Sequence, residues 1–199
     1  MKLYLVRHGE TQLNLDRVYY GWTDCPLNET GMKQGESLAE YFKTIQIDKI
    51  ITSDLLRATT TAEMIKGNRN IPLEKRVAFR ELHFGEWEEK DFHFVKTNYP
   101  EGYQAWAKDW KEFQIPKGES FRDFYERVSM GLKEILETEN EDSNILLVSH
   151  NGVMSALLCY LIGVGEDGFW KFSFQQKAYS LISIKKSNVL VQKINSPID

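Results

Sequence analysis

Apolar residues in this chain fall into short unbroken blocks separated by stretches of helical spacing. Residues 3–6 (Leu-Tyr-Leu-Val) form such a block, closed by Arg7-His8-Gly9. A short apolar run with polar bounds predicts a buried strand. Residues 28–45 place Leu38, Tyr41, Phe42 and Ile45 on one helical face. Residues 49–52 predict a second strand. Ser53-Asp54 is a helix-start signal, and Ala58, Ala62 and Ile65 give that helix an inward face. Residues 67–72 read as a loop and 73–77 as a short edge strand. From Ser120 another helix is expected, with Phe121, Phe124, Val128, Leu132 and Ile135 in phase. After a polar turn over 137–143, residues 144–148 (Asn-Ile-Leu-Leu-Val) give the strongest strand pattern of the chain. Ser149-His150-Asn151-Gly152 leads into an apolar helix over 153–162. Residues 179–184 and 189–194 predict a hairpin across 185–188.

Strands that alternate with helices predict an α/β fold: a three-layer α/β/α sandwich around a mostly parallel sheet, made mixed by the closing hairpin. Residues 83–118 break the rhythm. They hold Trp87, Trp106 and Trp110, many charges and weak periodicity. They are expected to form a small lobe inserted over one end of the sheet, within a single domain over 1–199. Trp106 and Trp110, four apart, are expected on one helical face, where packing the lobe competes with contacting substrate as their role.

Composition narrows the class. At 199 residues, 42% hydrophobic and 27% charged, the chain has the make-up of a globular domain. The net charge of −4 would repel a polyphosphate backbone, so nucleic acid is not expected as a partner. No apolar run is long enough to span a bilayer, and no secretory signal pattern precedes Arg7. Cys25 and Cys159 make neither a disulfide framework nor a zinc spacing, and reduced thiols in a cytoplasm are expected. Asn28-Glu29-Thr30 fits the glycosylation pattern, which chance supplies often.

The chemistry sits at strand ends, where sheets of this class bind ligands. His8 follows the first strand and His150 the strongest one. Arg7 adjoins His8, and Arg57 lies in the opening turn of a helix. Phosphoryl transfer without a metal needs an in-line nucleophile, fixed cations around the equatorial oxygens and a proton donor for the leaving oxygen. Neutral imidazole can be the nucleophile at pH 7. Arginine forks suit phosphate oxygens, and helix N-termini add N–H groups.

Leu5-Val6-Arg7-His8-Gly9-Glu10-Thr11 resembles the signature of the histidine phosphatase superfamily, also called phosphoglycerate-mutase-like. The rest follows in the family's order: Asn14 and Arg17, Tyr20-Gly21, Asp24 to Leu27, Gly31 and Gln34. Then come Ser53-Asp54-Leu55-Leu56-Arg57-Ala58, Glu81-Leu82 with Phe84-Gly85-Glu86-Trp87-Glu88, Gly118-Glu119-Ser120, and Val148-Ser149-His150-Asn151-Gly152. The resemblance covers essentially the whole chain. It implies that His8 forms a phosphohistidine, that Arg7, Arg57 and His150 make the phosphate pocket, and that Glu81 is general acid and then base. It further implies Asn14, Tyr20, Gly21 and Asn151 as substrate contacts. No cofactor and no metal are implied. Glu81 would stay protonated if burial under Trp87 and Phe84 raised its pKa. His83 and His93 match no common zinc spacing and are expected on the surface. Three positions depart from the pattern: Asn151 for Gly, Tyr20 for Gln, and Glu89 for the Gly common after Trp-Glu. None removes a catalytic group.

Within the superfamily, Tyr19-Tyr20-Gly21, the aromatic run of 103–110 and Phe169-Trp170-Lys171-Phe172 resemble the α-ribazole-5′-phosphate phosphatases. True mutases usually carry longer insertions. The expected partner is a small-molecule phosphate monoester, with no nucleic acid and no membrane, and with room for a homodimer. Two alternatives stand beside this reading. One is a phosphatase or mutase for sugar phosphates and phosphoglycerates, which Lys90, Lys96, Lys108 and Lys111 of the lobe would serve. The other is a non-catalytic phospholigand-binding module, which would need no proton donor.

Overall fold

A computed structural model of the chain describes residues 1–186 and 188–198. In chain order its elements are β1 (Lys2–Arg7), α1 (Gln12–Leu15), β2 (Val18–Tyr19), α2 (Glu29–Phe42), β3 (Lys49–Thr52), α3 (Leu56–Lys66) and β4 (Leu73–Lys75). There follow β5 (Lys90–Asp91), α4 (Phe92–Asn98), α5 (Pro100–Lys108), α6 (Phe121–Thr138), β6 (Asn144–Ser149), α7 (Asn151–Leu161), β7 (Ala178–Lys185) and β8 (Asn188–Pro197).

Six strands make one sheet in the order β4-β3-β6-β1-β7-β8. The first four run parallel; β7 pairs antiparallel with β1, and β8 antiparallel with β7, so only β7 opposes the direction of the other five. β1 and β6 sit centrally, and both faces of each are covered. Leu3, Leu5, Ile145 and Leu147 enter one apolar cluster with α6 and α7. Tyr4, Val6, Leu146 and Val148 enter another with α2 and α3. Strict alternation across a strand buried on both sides is what an unbroken apolar run encodes. The in-phase α6 residues Phe124, Val128, Leu132 and Ile135 have no exposed surface, each contributing roughly 1.5–3 kcal/mol of burial. The architecture is the expected three-layer sandwich with a mixed, mostly parallel sheet.

Residues 83–118 contribute β5, α4 and α5. Trp87, Val95 and Ile115 form a third buried cluster there, with Tyr19, Phe84, Tyr99, Trp106 and Phe113 against it. The two-residue pairing of β2 with β5 ties this region to the segment after β1.

Several boundaries differ from the sequence pattern, each for a local reason. α3 opens at Leu56, not at Ser53-Asp54: the Asp54 carboxylate takes both forks of Arg80 (2.6 and 2.7 Å). The free Leu56 N–H is capped instead by Asp24 Oδ1 at 2.7 Å, a partner distant in sequence that performs the usual N-cap task. β4 stops at Lys75, because Val77–Phe79 winds into a 3-10 turn. α2 ends at Phe42, and Ile45 packs on the same core from the turn beyond. α7 starts at Asn151, with His150 as its N-cap residue, and ends at Leu161. The closing strands are longer than expected at both ends, and Ser187 in their connection lies outside the described residues. Trp106 and Trp110 do not share a helical face. α5 ends at Lys108; Trp106 joins the third cluster, while Trp110 packs on Phe121 at 4.4 Å between ring centroids.

Candidate active site

Adjacent parallel strands put the two histidines side by side. β1 and β6 are in register from Lys2–Asn144 to Arg7–Ser149, so His8 and His150 leave the sheet together at its carboxyl edge. Their ring centroids are 5.1 Å apart, edge to face. Both are buried, at 3% and 1% exposure. His8 Nδ1 lies 2.7 Å from the Gly9 carbonyl oxygen. A carbonyl only accepts, so the proton sits on Nδ1 and the Nε2 lone pair is free.

Two arginines flank this pair. Arg57 in the first turn of α3 is fully buried. Its Nη2 donates to the Gly21 carbonyl at 2.7 Å and Nη1 to that of Thr23 at 2.8 Å. Its guanidinium lies 4.7 Å above the Tyr20 ring. Arg7 Nη1 donates to the Phe174 carbonyl at 3.0 Å. Carbonyl partners orient both guanidinium groups without neutralising them. Arg7 Nε, Arg57 Nε, and His150 Nδ1 and Nε2 are buried and have no hydrogen-bond partner among the described residues. Orphaned donors are costly when buried. Arg7, Arg57 and His150 stand close enough to His8 to act on its ring, a grouping able to hold a multiply charged oxyanion.

Glu81 lies beyond the 3-10 turn that ends β4. Its Oε2 accepts from Gly152 N at 2.8 Å, and its Oε1 from Leu82 N at 3.0 Å. The seat is tight: a Cβ on Gly152 would lie 2.3 Å from Glu81 Oε1. Burial pushes the Glu81 carboxyl above its ordinary value, against those two N–H groups and the nearby arginines. Burial first, then Arg57 and Arg7, hold the His8 imidazole well below 6.5, and burial with Arg57, His8 and Arg7 does the same to His150. The carboxyl is thus moved towards its protonated form, and both imidazoles towards the neutral one. This is the pairing an acid and a nucleophile require.

A cavity of about 470 Å³ meets this group of residues at Arg7 and Glu81. Arg7, Glu81, Asn14, Tyr20, Asn151 and Gly152 are among its lining residues; His8, Arg57 and His150 are not. Tyr19, Phe84, Trp87, Trp106, Trp110, Phe113, Phe121, Phe169 and Trp170, with the aliphatic Val18, Leu82 and Ile115, complete its wall. Arg7 is the one cation among the described residues of that wall. Lys90, Lys96, Lys108 and Lys111 are not part of it; Lys111 pairs with Asp167.

The remaining sequence candidates take distinct places. Asn14 Oδ1 accepts from Thr11 N (3.1 Å) and Gln176 Nε2 (3.0 Å), which leaves its amide N–H groups for the cavity. Asn151 Oδ1 accepts from Phe174 N at 2.7 Å, so this side chain braces the segment whose carbonyl holds Arg7. Gly21 is not a wall residue. Its carbonyl is taken by Arg57, and a Cβ there would sit 1.6 Å from the Leu82 carbonyl oxygen. His83 stacks on Trp22 at 4.5 Å, and His93 is exposed on α4. Glu89 adopts φ 60°, the left-handed region that favours the glycine it replaces. Sequence reasoning missed the Thr23 and Phe174 carbonyls, the Gly152 N–H and Gln176. The first three act through the backbone, which residue identity does not signal.

Residues 3–197 match the family model described as histidine phosphatase superfamily (branch 1). The adenosylcobalamin/alpha-ribazole phosphatase of Escherichia coli K12 is 34% identical over 98% of this chain and 96% of its own length. Phosphoserine phosphatase 1 of Hydrogenobacter thermophilus is 31% identical over 98% and 92%. Among solved structures, the alpha-ribazole phosphatase of Shigella flexneri superposes with a TM-score of 0.93 at 34% identity, covering 100% of this chain and 98% of that one. With its histidine pair, flanking arginines and seated carboxyl, the chain belongs to the histidine phosphatase superfamily, branch 1, and is a phosphatase.

Proposed function

We propose that this enzyme hydrolyses α-ribazole 5′-phosphate to α-ribazole and inorganic phosphate, in the assembly of the cobalamin nucleotide loop. The observation that carries this reading is the cavity wall. Ten of its side chains are aromatic and one is cationic, which suits a flat dimethylbenzimidazole riboside that stacks on rings. It does not suit a second acidic group, because the lobe lysines lie elsewhere. The relatives named adenosylcobalamin/alpha-ribazole phosphatase support the same choice. Two free thiols fit a cytoplasmic setting, and no described helix is long and apolar enough to cross a membrane.

The roles follow from the geometry. Arg7, Arg57 and His150 hold the phosphoryl oxygens. His8 Nε2 attacks phosphorus and forms an N–P bond as the P–O bond to the ribose 5′ oxygen breaks. Glu81 gives its proton to that oxygen, and the nucleoside leaves. The Glu81 carboxylate then takes a proton from water, whose oxygen attacks phosphorus. The N–P bond breaks, its electron pair returns to Nε2, and inorganic phosphate is released. Asn14, Tyr20 and Asn151 border the phosphate end of the substrate.

Phosphate release is the test, measured with chelator present on α-ribazole 5′-phosphate, 3-phosphoglycerate, fructose bisphosphate, a nucleoside 5′-monophosphate and p-nitrophenyl phosphate. A kcat/KM for the ribazole at least tenfold above the others is expected. A flat profile, or preference for an acidic sugar phosphate, would overturn the substrate and leave the histidine chemistry standing.

A further inference from the structure

Three glutamates follow one another closely near the site, and they behave differently. Glu86 pairs with Lys117 at 2.9 Å, and Glu89 is exposed. Glu88 turns inward, and its two oxygens collect four backbone N–H groups. Oε1 accepts from Trp22 (2.9 Å), Phe84 (3.0 Å) and Gly21 (3.1 Å); Oε2 accepts from Gly21 (2.9 Å) and Thr23 (3.1 Å). Three of these donors are consecutive residues of one loop. The carbonyls of Gly21 and Thr23, from that same loop, are the two acceptors that hold the Arg57 fork. The same loop reaches the general-acid segment, because Trp22 Nε1 donates to the Glu81 carbonyl at 3.1 Å.

We propose that Glu88 is a positioning residue for the phosphate pocket: its carboxylate fixes the 21–23 loop and thereby aims the Arg57 guanidinium, with the Glu81 segment clamped alongside. A carboxylate is needed because every group facing it is a donor. Glutamine has the same shape but offers one acceptor oxygen, and its NH₂ would meet an N–H. Aspartate keeps the charge and loses one methylene of reach. Glycine at 21 belongs to the same device, since a side chain there would collide with Leu82 and press on Glu88 Oε1 at 3.2 Å. Glu88 touches neither the reacting atoms nor the cavity, so its effect passes through Arg57 and Glu81. Misplacing such a group by about 1 Å can cost on the order of 100-fold in rate.

This inference rests on the phosphatase reading but not on the ribazole substrate, so p-nitrophenyl phosphate is the assay. Glu88→Gln is expected to lower kcat on the order of 100-fold and to weaken vanadate inhibition by a similar factor, with a smaller change in KM. Vanadate reports the pentavalent geometry that Arg57 must match. In an Arg57→Lys background the same change should add less than tenfold, because both act on one unit. Glu86→Gln should match the wild type. Should Glu88→Gln not accumulate folded, Glu88→Asp replaces it, with the same two readouts and a loss of intermediate size. A purely structural role would lower the thermal midpoint and leave kcat and vanadate affinity of the folded fraction within twofold of wild type; that result overturns the proposal. A wild type inert towards p-nitrophenyl phosphate would instead count against the phosphatase reading itself.

Discussion

The contact between Gly152 and Glu81 converts a missing methyl group into a rate. In Gly152→Ala the new Cβ would fall 2.3 Å from Glu81 Oε1, 3.0 Å from Cδ and 3.1 Å from Oε2. Relief to an ordinary carbon–oxygen separation of about 3.3 Å requires the carboxyl to retreat by about 1 Å. Retreat lengthens the 2.8 Å bond from Gly152 N and moves the acid from the leaving oxygen. A 1 Å misplacement corresponds to a loss on the order of 100-fold, or about 2.7 kcal/mol of barrier. The loss should depend on the leaving group. An alkoxide needs the proton, whereas p-nitrophenolate departs without it. kcat on an alkyl phosphate should fall about 100-fold, and kcat on p-nitrophenyl phosphate only a few-fold. Stability should change little, because alanine in a helical turn gains up to about 1 kcal/mol over glycine and offsets part of the strain. Steady-state kinetics on the two substrates, with a thermal melt of each protein, would check this. Equal losses on both substrates, or none on the alkyl ester, would refute the placement of Glu81 as acid.

His8→Ala should reduce turnover to background yet still bind inorganic phosphate in a calorimetric titration, since Arg7, Arg57 and His150 remain; residual turnover near wild type would exclude His8 as nucleophile. Glu89→Gly relieves a left-handed residue at φ 60° and keeps the 2.7 Å bond from its N–H to the Tyr19 carbonyl. Strain of 1–2 kcal/mol, less the entropy glycine adds to the unfolded chain, leaves roughly 0.5–1 kcal/mol of gain. The thermal midpoint should therefore rise by about 1–3 °C, and a fall would contradict the assignment. The buried histidines set a pH dependence of stability. Their imidazoles are held well below 6.5 in the fold, so the unfolded chain binds protons more readily. Their contribution is complete above about pH 6.5 and declines as pH falls below it. Urea midpoints should drop between pH 7.5 and 5.5, and a His8→Asn, His150→Asn protein should show a flatter profile; an unchanged slope would refute the sign.

What could be read from the sequence was local. The runs 3–6 and 144–148 are buried on both faces, so uninterrupted hydrophobicity marked them without knowledge of their neighbours. The in-phase residues of α6 likewise report one buried face. What escaped depends on residues far apart in the chain. Ser53-Asp54 carries a genuine capping pattern, but Arg80 occupies Asp54, and the cap comes from Asp24. β2 and β5 are two residues each, too short for any period to register. Trp106 and Trp110 have helical spacing, yet the helix ends between them. Glu88 stands inside a charge run whose usual meaning is a solvated face, and only the fold turns one carboxylate of three towards a ring of N–H donors.

The same loop geometry explains how a chain of net charge −4 holds a cationic pocket. A buried arginine beside a carboxylate would be a closed ion pair, and phosphate would then have to compete with that carboxylate for the guanidinium. Here Arg7 and Arg57 are instead oriented by the carbonyls of Phe174, Gly21 and Thr23. These fix direction while leaving the full positive charge in place. The nearby acids are diverted from the same role: Glu81 is pushed towards its neutral form by burial, and Glu88 is taken up by backbone N–H groups. Neutral His8 and His150 add lone pairs and N–H groups without adding to the repulsion between the two guanidinium charges. Arg7 Nε and Arg57 Nε have no hydrogen-bond partner among the described residues and so remain available to the ligand proposed above. In the proposed reaction a dianionic phosphoryl group would complete the hydrogen bonding at these atoms, and charge moving onto its equatorial oxygens would meet cationic donors fixed beforehand by the fold.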